Sequence, residues 1–312
     1  MRVLVTGASG MVGHAFRKNI ILPENCDFIF VGSKNCDLAN RGATFKLFKE
    51  TSPDYVIHLA ARVGGIKSNM DFVGEFYTQN ILMNTNVIDA SHTLGVKKVI
   101  SLLSTCIYPD LATYPLTEDQ IHNGAPHKSN FGYAYAKRML DIHSRAYRQQ
   151  YGSNFITAVP NNLFGENDNF DLENSHVIPA MIRKMWEAKL NNKDVVLWGD
   201  GSPLREFTYS KDLTEILLFL MEHYDGHHPI NVGNTHEISI KEVAETIADI
   251  LEFKGEIIWD TTKPKGQFRK PSDNSKLMGL GWREENYTPL KEALTNMCKW
   301  FIINYPNVRG IR

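Results

Sequence analysis

The chain has 312 residues, 43% of them hydrophobic and 22% charged, with a formal net charge of −1. That length buries a large core and points to two packed lobes, while the near-neutral balance gives no reason to expect nucleic acid or a membrane surface as partner. The opening MRVLVTGASG runs into a strand without an apolar leader, and no stretch approaches the ~18 apolar residues of a membrane span, so neither is expected. Cys26, Cys36, Cys106 and Cys298 are scattered without metal-ligand spacing. They read as reduced thiols in a cytoplasmic protein, with no metal.

Residues 2–6, 28–33, 55–60, 97–104 and 155–160 read as short apolar strands, and helical patterns begin near Met11, Asn40, Phe72 and Tyr133. Apolar strands alternating with helices predict an α/β fold, a Rossmann-type doubly wound parallel sheet over residues 1–165. Beyond residue 166 that rhythm breaks. A polar loop and a helix come first, then VVLWGDG as strand and turn. Ser239–Glu242 is a capping box opening a helix to about Leu251, and the last helix is expected over 290–305. Residues 166–312 are expected to form a smaller mixed α/β lobe, with some crossing of the chain between lobes.

After the first strand, TGASGMVG spaces Gly7, Gly10 and Gly13 as G-x-x-G-x-x-G. That pattern lets the backbone approach a pyrophosphate at a helix N-terminus, so Gly7, Ala8, Ser9, Gly10, Met11, Val12 and Gly13 are expected to bind the cofactor. The second strand ends in VGSKN, which offers Ser33 and Lys34 and no carboxylate. A ribose 2′-phosphate needs a cation there, so NADP(H) is expected; a solvated loop lysine is the plain alternative. Asp37 and Leu38 are placed beside the adenine, and Leu59, Ala60 and Ala61 beside the cofactor at the end of the third strand.

The strand over 97–104 ends at Ser104, with Cys106 two residues on. Downstream, 131–152 (FGYAYAKRMLDIHSRAYRQQYG) has no internal proline and a glycine placed as a C-cap, so it is a helix. Tyr133 and Lys137, four apart, share one face. A fixed cation is expected to lower the phenol towards the working range of an acid. Tyr135 has no cation four residues on.

A serine at a strand end followed by Tyr-x-x-x-Lys on a helix resembles the short-chain dehydrogenase/reductases, whose Ser and Tyr hydroxyls hold a substrate carbonyl while hydride arrives from a nicotinamide. The glycine spacing matches the extended branch of that superfamily. HLAARVGGI, STCIYP, SNFGYAYAKRM, PNNLFGENDNF, SHVIPAMIRK and WGDGSPLREF narrow the resemblance to the GDP-L-fucose synthase family, from Arg2 to about Tyr305. That resemblance implies a 3,5-epimerase and NADPH-dependent 4-reductase acting on GDP-4-keto-6-deoxy-D-mannose, and a homodimer. It implies hydride-transfer roles for Ser104, Tyr133 and Lys137, and epimerisation by Cys106 and His176. Pro160, Asn161, Asn162, Leu163 and His176 would border the nicotinamide. Asn162, Lys184, Trp198 and Arg205 would bind the nucleotide sugar, with Ser104 and Cys106 at its ketone.

The chemistry suits these residue types. A C4 ketone acidifies the protons at C3 and C5, a thiol or imidazole can move them, and the same hydroxyls can hold the enolate oxygen. Taken alone, Cys106 reads equally as a packed small side chain, His176 as a loop-to-helix histidine, Trp198 as core and Arg205 as a surface cation. One departure stands out. Family members usually carry Lys-Pro-Asp-Gly or Lys-Ser-Asp-Gly late in the chain, and here the run is KPKG, with Lys265 in place of the carboxylate. For the dimer, Met83, Met139, Ile142 and Tyr147 could supply apolar surface or equally be core. Two rivals remain: another nucleotide-sugar enzyme such as a 4-epimerase or 4,6-dehydratase, and a non-catalytic, cofactor-sensing regulator. A dehydratase would want carboxylates where Cys106 and Ile107 stand, and a regulator typically loses the Tyr or Lys.

Overall fold

The alternation seen in the sequence builds one parallel sheet in the computed structural model, which describes residues 1–263 and 268–311. Its first half runs β1 (Arg2–Thr6), α1 (Met11–Lys18), β2 (Asp27–Val31), α2 (Arg41–Thr51), β3 (Tyr55–His58), α3 (Ile66–Asp71), α4 (Val73–Thr93), β4 (Lys98–Leu102), α5 (Phe131–Tyr151) and β5 (Phe155–Pro160). The second half runs β6 (Asn162–Phe164), α6 (Val177–Leu190), β7 (Val195–Trp198), β8 (Leu204–Tyr209), α7 (Ser210–His223), β9 (Ile230–Val232), β10 (Glu237–Ser239), α8 (Ile240–Ile250), β11 (Ile257–Asp260), α9 (Ser275–Gly279) and α10 (Leu290–Asn304).

The main sheet has six strands in the order β2-β1-β3-β4-β5-β9. Every pair in it is parallel. Strand residues alternate between two cores. Val3 and Val5 face Val12 and Phe16 of α1 and Leu213 and Leu217 of α7. Leu4, Val56 and Val99 face Phe48 of α2, Val87 and Ile88 of α4 and Leu140 of α5. Helices on both faces are what let the strands be apolar throughout. Between β1 and β3 the strand order reverses, and the crevice outside the strand ends at that point is where an open α/β sheet binds its ligand.

Residues of α7 and β9 return to this first layer after the chain has left it, so the main sheet is completed by three residues beyond position 166. The remaining elements enclose a separate core that includes Met181, Ile182, Val243, Ile247, Leu294 and Phe301. Two small sheets, β10-β8-β6 and β11-β7, accompany it. The capping box at Ser239 and Glu242 is formed, each side chain meeting the other's backbone amide.

Candidate active site

The glycine turn is built by close backbone approach. A Cβ on Gly7, whose φ is +71°, would lie 2.6 Å from the Ala60 amide, and one on Gly13 would lie 2.4 Å from the Ala8 Cα. The turn is thereby pressed against the end of β3, and its Ala8 amide donates to the Val31 carbonyl of β2 at 3.1 Å. Gly10 differs: a Cβ there meets only the Gly7 carbonyl at 3.4 Å, so the protein itself does not crowd it. The free space lies at the α1 N-terminus, where Gly10 is the cap residue without a side chain. This fits a pyrophosphate. Asn167 donates to the Ser9 carbonyl at 3.1 Å, tying the strap after β6 to the same turn.

Beneath the turn a buried relay holds the strand ends. The Ala60 amide donates to the Thr6 hydroxyl at 3.4 Å, that hydroxyl donates to His58 Nδ1 at 2.8 Å, and His58 Nε2 donates to Asn84 at 3.0 Å. Burial, with Lys137 nearby, pushes His58 down to about 3, so the ring is neutral. Leu59 and Ala61 flank Ala60 on this strand end. After β2, Ser33 and Lys34 are exposed on the turn, and a Cβ on Gly32 beside them would touch Ser9 Oγ at 2.9 Å. Asp37 is exposed but its carboxylate accepts from the Ala39 amide at 3.0 Å. Leu38 is buried, and its carbonyl accepts from Asn86 at 2.8 Å.

Strand β4 ends at Leu102, two residues short of the expected Ser104. Ser104 instead caps a single 3₁₀ turn, Thr105–Ile107, its hydroxyl accepting from the Cys106 amide at 3.4 Å. Leu103 continues the apolar run, but strand pairing has stopped before Ser104 and Cys106, which lie in the turn that follows. Helix α5 presents Tyr133 and Lys137 to them. Lys137 is buried, donates to the Leu102 carbonyl at 2.7 Å and stands 5.9 Å from the centre of the Tyr133 ring.

Electrostatics reverse one expectation. Burial lifts the Tyr133 phenol well above its usual range, and the Cys106 sulfur adds to the rise. The Lys137 ammonium is committed to a carbonyl, and burial pushes it down to about 8, with Cys106 acting the other way. The phenol is therefore protonated at neutral pH, the form in which it can donate a proton. Burial also raises the Cys106 thiol, while the Ser104 hydroxyl, then Lys270 and Lys137, pull it down.

His176 is exposed and is the N-cap residue of α6. Its electrostatic neighbour is Asp168, a buried carboxyl that burial raises and His176 lowers. Following β5, Asn161 is buried and clamped: it donates to the Asn234 carbonyl at 2.7 Å and to Glu206 at 3.2 Å, and accepts from Thr208 at 2.6 Å. Pro160 ends β5, while Asn162 is exposed and donates to the Glu206 carbonyl at 2.8 Å, with Leu163 after it on β6. Lys184 donates to the Val196 carbonyl at 3.1 Å and lies 5.6 Å from the Trp198 ring centre. Trp198 is 59% exposed, a platform rather than core. Lys263 approaches the same ring at 5.8 Å. Arg205 donates to the Leu204 carbonyl at 2.6 Å, and burial lowers it. Lys265 lies outside the described residues.

Sequence reasoning missed Lys270 and Glu206. Lys270 donates to the Thr105 carbonyl at 2.9 Å, across 165 residues, and no spacing signals that contact. Buried Glu206 accepts from the Ser272 amide at 2.9 Å and hydroxyl at 2.5 Å besides Asn161, so one carboxylate joins the end of β5 to the segment carrying Lys270. Among the described residues no group of His, Cys, Asp and Glu could hold a metal ion, and no helix is long and apolar enough to cross a membrane.

A glycine turn at the switch point and a Ser-Tyr-Lys cluster beside it define a nucleotide-dependent oxidoreductase site on a doubly wound fold. The NAD dependent epimerase/dehydratase family model matches residues 3–233. GDP-L-fucose synthase of Dictyostelium discoideum is 44% identical over 311 residues, covering 98% of this chain and 97% of its own. That of Escherichia coli K12 is 35% identical over 99% of both chains. The crystal structure of a Naegleria fowleri GDP-L-fucose synthetase bound to NADP superposes with a TM-score of 0.91 at 39% identity, over 99% of this chain and 96% of that one. The chain belongs to the NAD dependent epimerase/dehydratase family and, within it, to the GDP-L-fucose synthases.

Proposed function

We infer that the chain converts GDP-4-keto-6-deoxy-D-mannose to GDP-L-fucose, as a 3,5-epimerase and NADPH-dependent 4-reductase. The observation that carries this reading is the convergence of Ser104, Cys106, Tyr133 and Lys137 at the end of β4, in a chain 44% identical to a GDP-L-fucose synthase. A reductase alone needs the hydroxyls and the lysine. A thiol at their centre gives the same carbonyl a carbon base.

When bound, NADPH supplies the hydride delivered to C4. Ser104 and Tyr133 hold the C4 oxygen, first as ketone, then as enolate, then as the alkoxide that Tyr133 protonates. Cys106 takes a proton from C3 or C5 as thiolate: the C–H bond breaks, an S–H bond forms, and the electron pair moves onto the C4 oxygen. Inversion needs a proton from the other face, the role given to His176. Lys137 holds the carbonyl end of β4 in place beneath them. Lys184 and Trp198 serve the nucleotide, and Arg205 its diphosphate. Exposed Met139 and Ile142 line an apolar groove between α4 and α5 with Ile81 and Thr85. Met83 and Tyr147 instead pack against the core. The exposed pair supports a homodimer through these helices; sedimentation as a monomer at micromolar concentration would remove that part. The unpaired cysteines suit the reducing cytoplasm.

Loss of nicotinamide absorbance on adding GDP-4-keto-6-deoxy-D-mannose tests the reading. NADPH is expected to be consumed, and no consumption with this sugar nucleotide would reject it. Lys34→Asp is expected to weaken NADPH binding by about one to two orders of magnitude, the scale of a lost charged hydrogen bond. Equal kcat/KM for NADPH and NADH in the unaltered protein would remove Lys34 from that role.

A further inference from the structure

Burial opposes the ionisation that the Cys106 base requires, so something fixed must favour it. The charged and titratable groups facing this thiol come from three directions. Ser104 approaches from the end of β4, and Tyr133, Lys137 and Arg138 from α5. Lys270 approaches from the far lobe. The two α5 cations are committed beneath: Lys137 to the Leu102 carbonyl and Arg138 to the carbonyls of Ile107 and Gly124 at 2.6 Å each. Lys270 is held on the Thr105 carbonyl, the peptide oxygen directly preceding the Cys106 amide. Its other charged neighbours are Arg205, which repels it, and Asp110, which attracts it. The segment that carries it is pinned in turn by Ser272 on Glu206. A cation fixed at both its stem and its head costs no reorganisation when the thiol loses its proton.

We propose that Lys270 is the positioning residue of the Cys106 base: its ammonium, seated on the Thr105 carbonyl, supplies from the second lobe the positive charge against which the thiolate forms. This deepens the assignment of Cys106 as carbon base and rests on it. The two lobes then divide the epimerisation chemistry. The first contributes the sulfur and the second contributes the charge that makes it basic. Neither lobe alone holds a competent base.

The test is the pH profile of Cys106 alkylation by iodoacetamide in the NADP⁺-loaded protein, read by mass spectrometry on the Cys106 peptide. Lys270→Gln is expected to move the midpoint upward and to slow alkylation at neutral pH by about threefold or more, since an opposite charge at such range shifts a thiol by about a unit or more. Lys270→Arg keeps the charge and is expected to keep the midpoint. A Lys270→Gln profile at the unaltered midpoint overturns the proposal. So does an equal upward shift in Lys270→Arg, which would assign the effect to turn geometry instead of charge. NADP⁺ binding reports folding of each variant, and Lys270→Met, which keeps the stem's apolar volume, carries the same reading should Lys270→Gln not fold. No sugar nucleotide enters this assay, so its failure is distinct from failure of the assigned reaction.

Discussion

Tyr133→Phe is expected to lower reduction of the 4-ketone by about two to four orders of magnitude, the range for a lost general acid. Burial keeps the phenol protonated, and the Lys137 ammonium cannot replace it while it serves the Leu102 carbonyl. Exchange of solvent deuterium into C3 and C5 should survive, slowed, because Ser104 still accepts and donates at the C4 oxygen. The variant therefore separates hydride transfer from carbon acidity. Full reductase activity in it would move the acid to another group, with Tyr135 on the same helix the first to try.

Cys106→Ala should do the reverse. With Cys106 as the proposed base for C3 and C5, deuterium exchange is expected to be lost while the ketone stays reducible by the remaining Ser104, Tyr133 and Lys137. The product becomes a reduced, un-inverted GDP-6-deoxyhexose. In the unaltered protein, burial raises the thiol, so the thiolate fraction and the exchange rate both grow as pH rises through the thiol's titration. That pH dependence should vanish from the reduction catalysed by Cys106→Ala. GDP-L-fucose carrying deuterium at both carbons, made by this variant, would reduce Cys106 to a packing residue and make His176 the candidate base.

What the sequence disclosed, and what it hid, follows from the range of the interactions. Helix α5 was legible because its signals are local: strong helix formers, no proline, and Gly152 in the left-handed C-cap with φ +71°. The glycine turn was legible because close approach to Ala60 leaves no room for a side chain. The expected strand overruns β4 because Leu103 extends the apolar run past Leu102, where pairing stops and Ser104 caps the 3₁₀ turn. The three-residue β9 is too short for periodicity to register, yet it completes the main sheet. The direction of the Tyr133 shift was missed because an i,i+4 spacing says two side chains meet without saying what else the lysine serves. Lys270 was invisible for a related reason. A lysine in a polar stretch reads as solvated until folding lays it on Thr105.

The most direct test of the account is a single incubation of the unaltered protein with NADPH and GDP-4-keto-6-deoxy-D-mannose in D₂O, followed by NMR of the sugar nucleotide. One carbonyl clamp serving both chemistries predicts GDP-L-fucose, deuterated at C3 and C5, formed with one NADPH consumed per sugar. Reduction with protium retained at both carbons and no inversion would contradict it, leaving a plain 4-reductase on this fold.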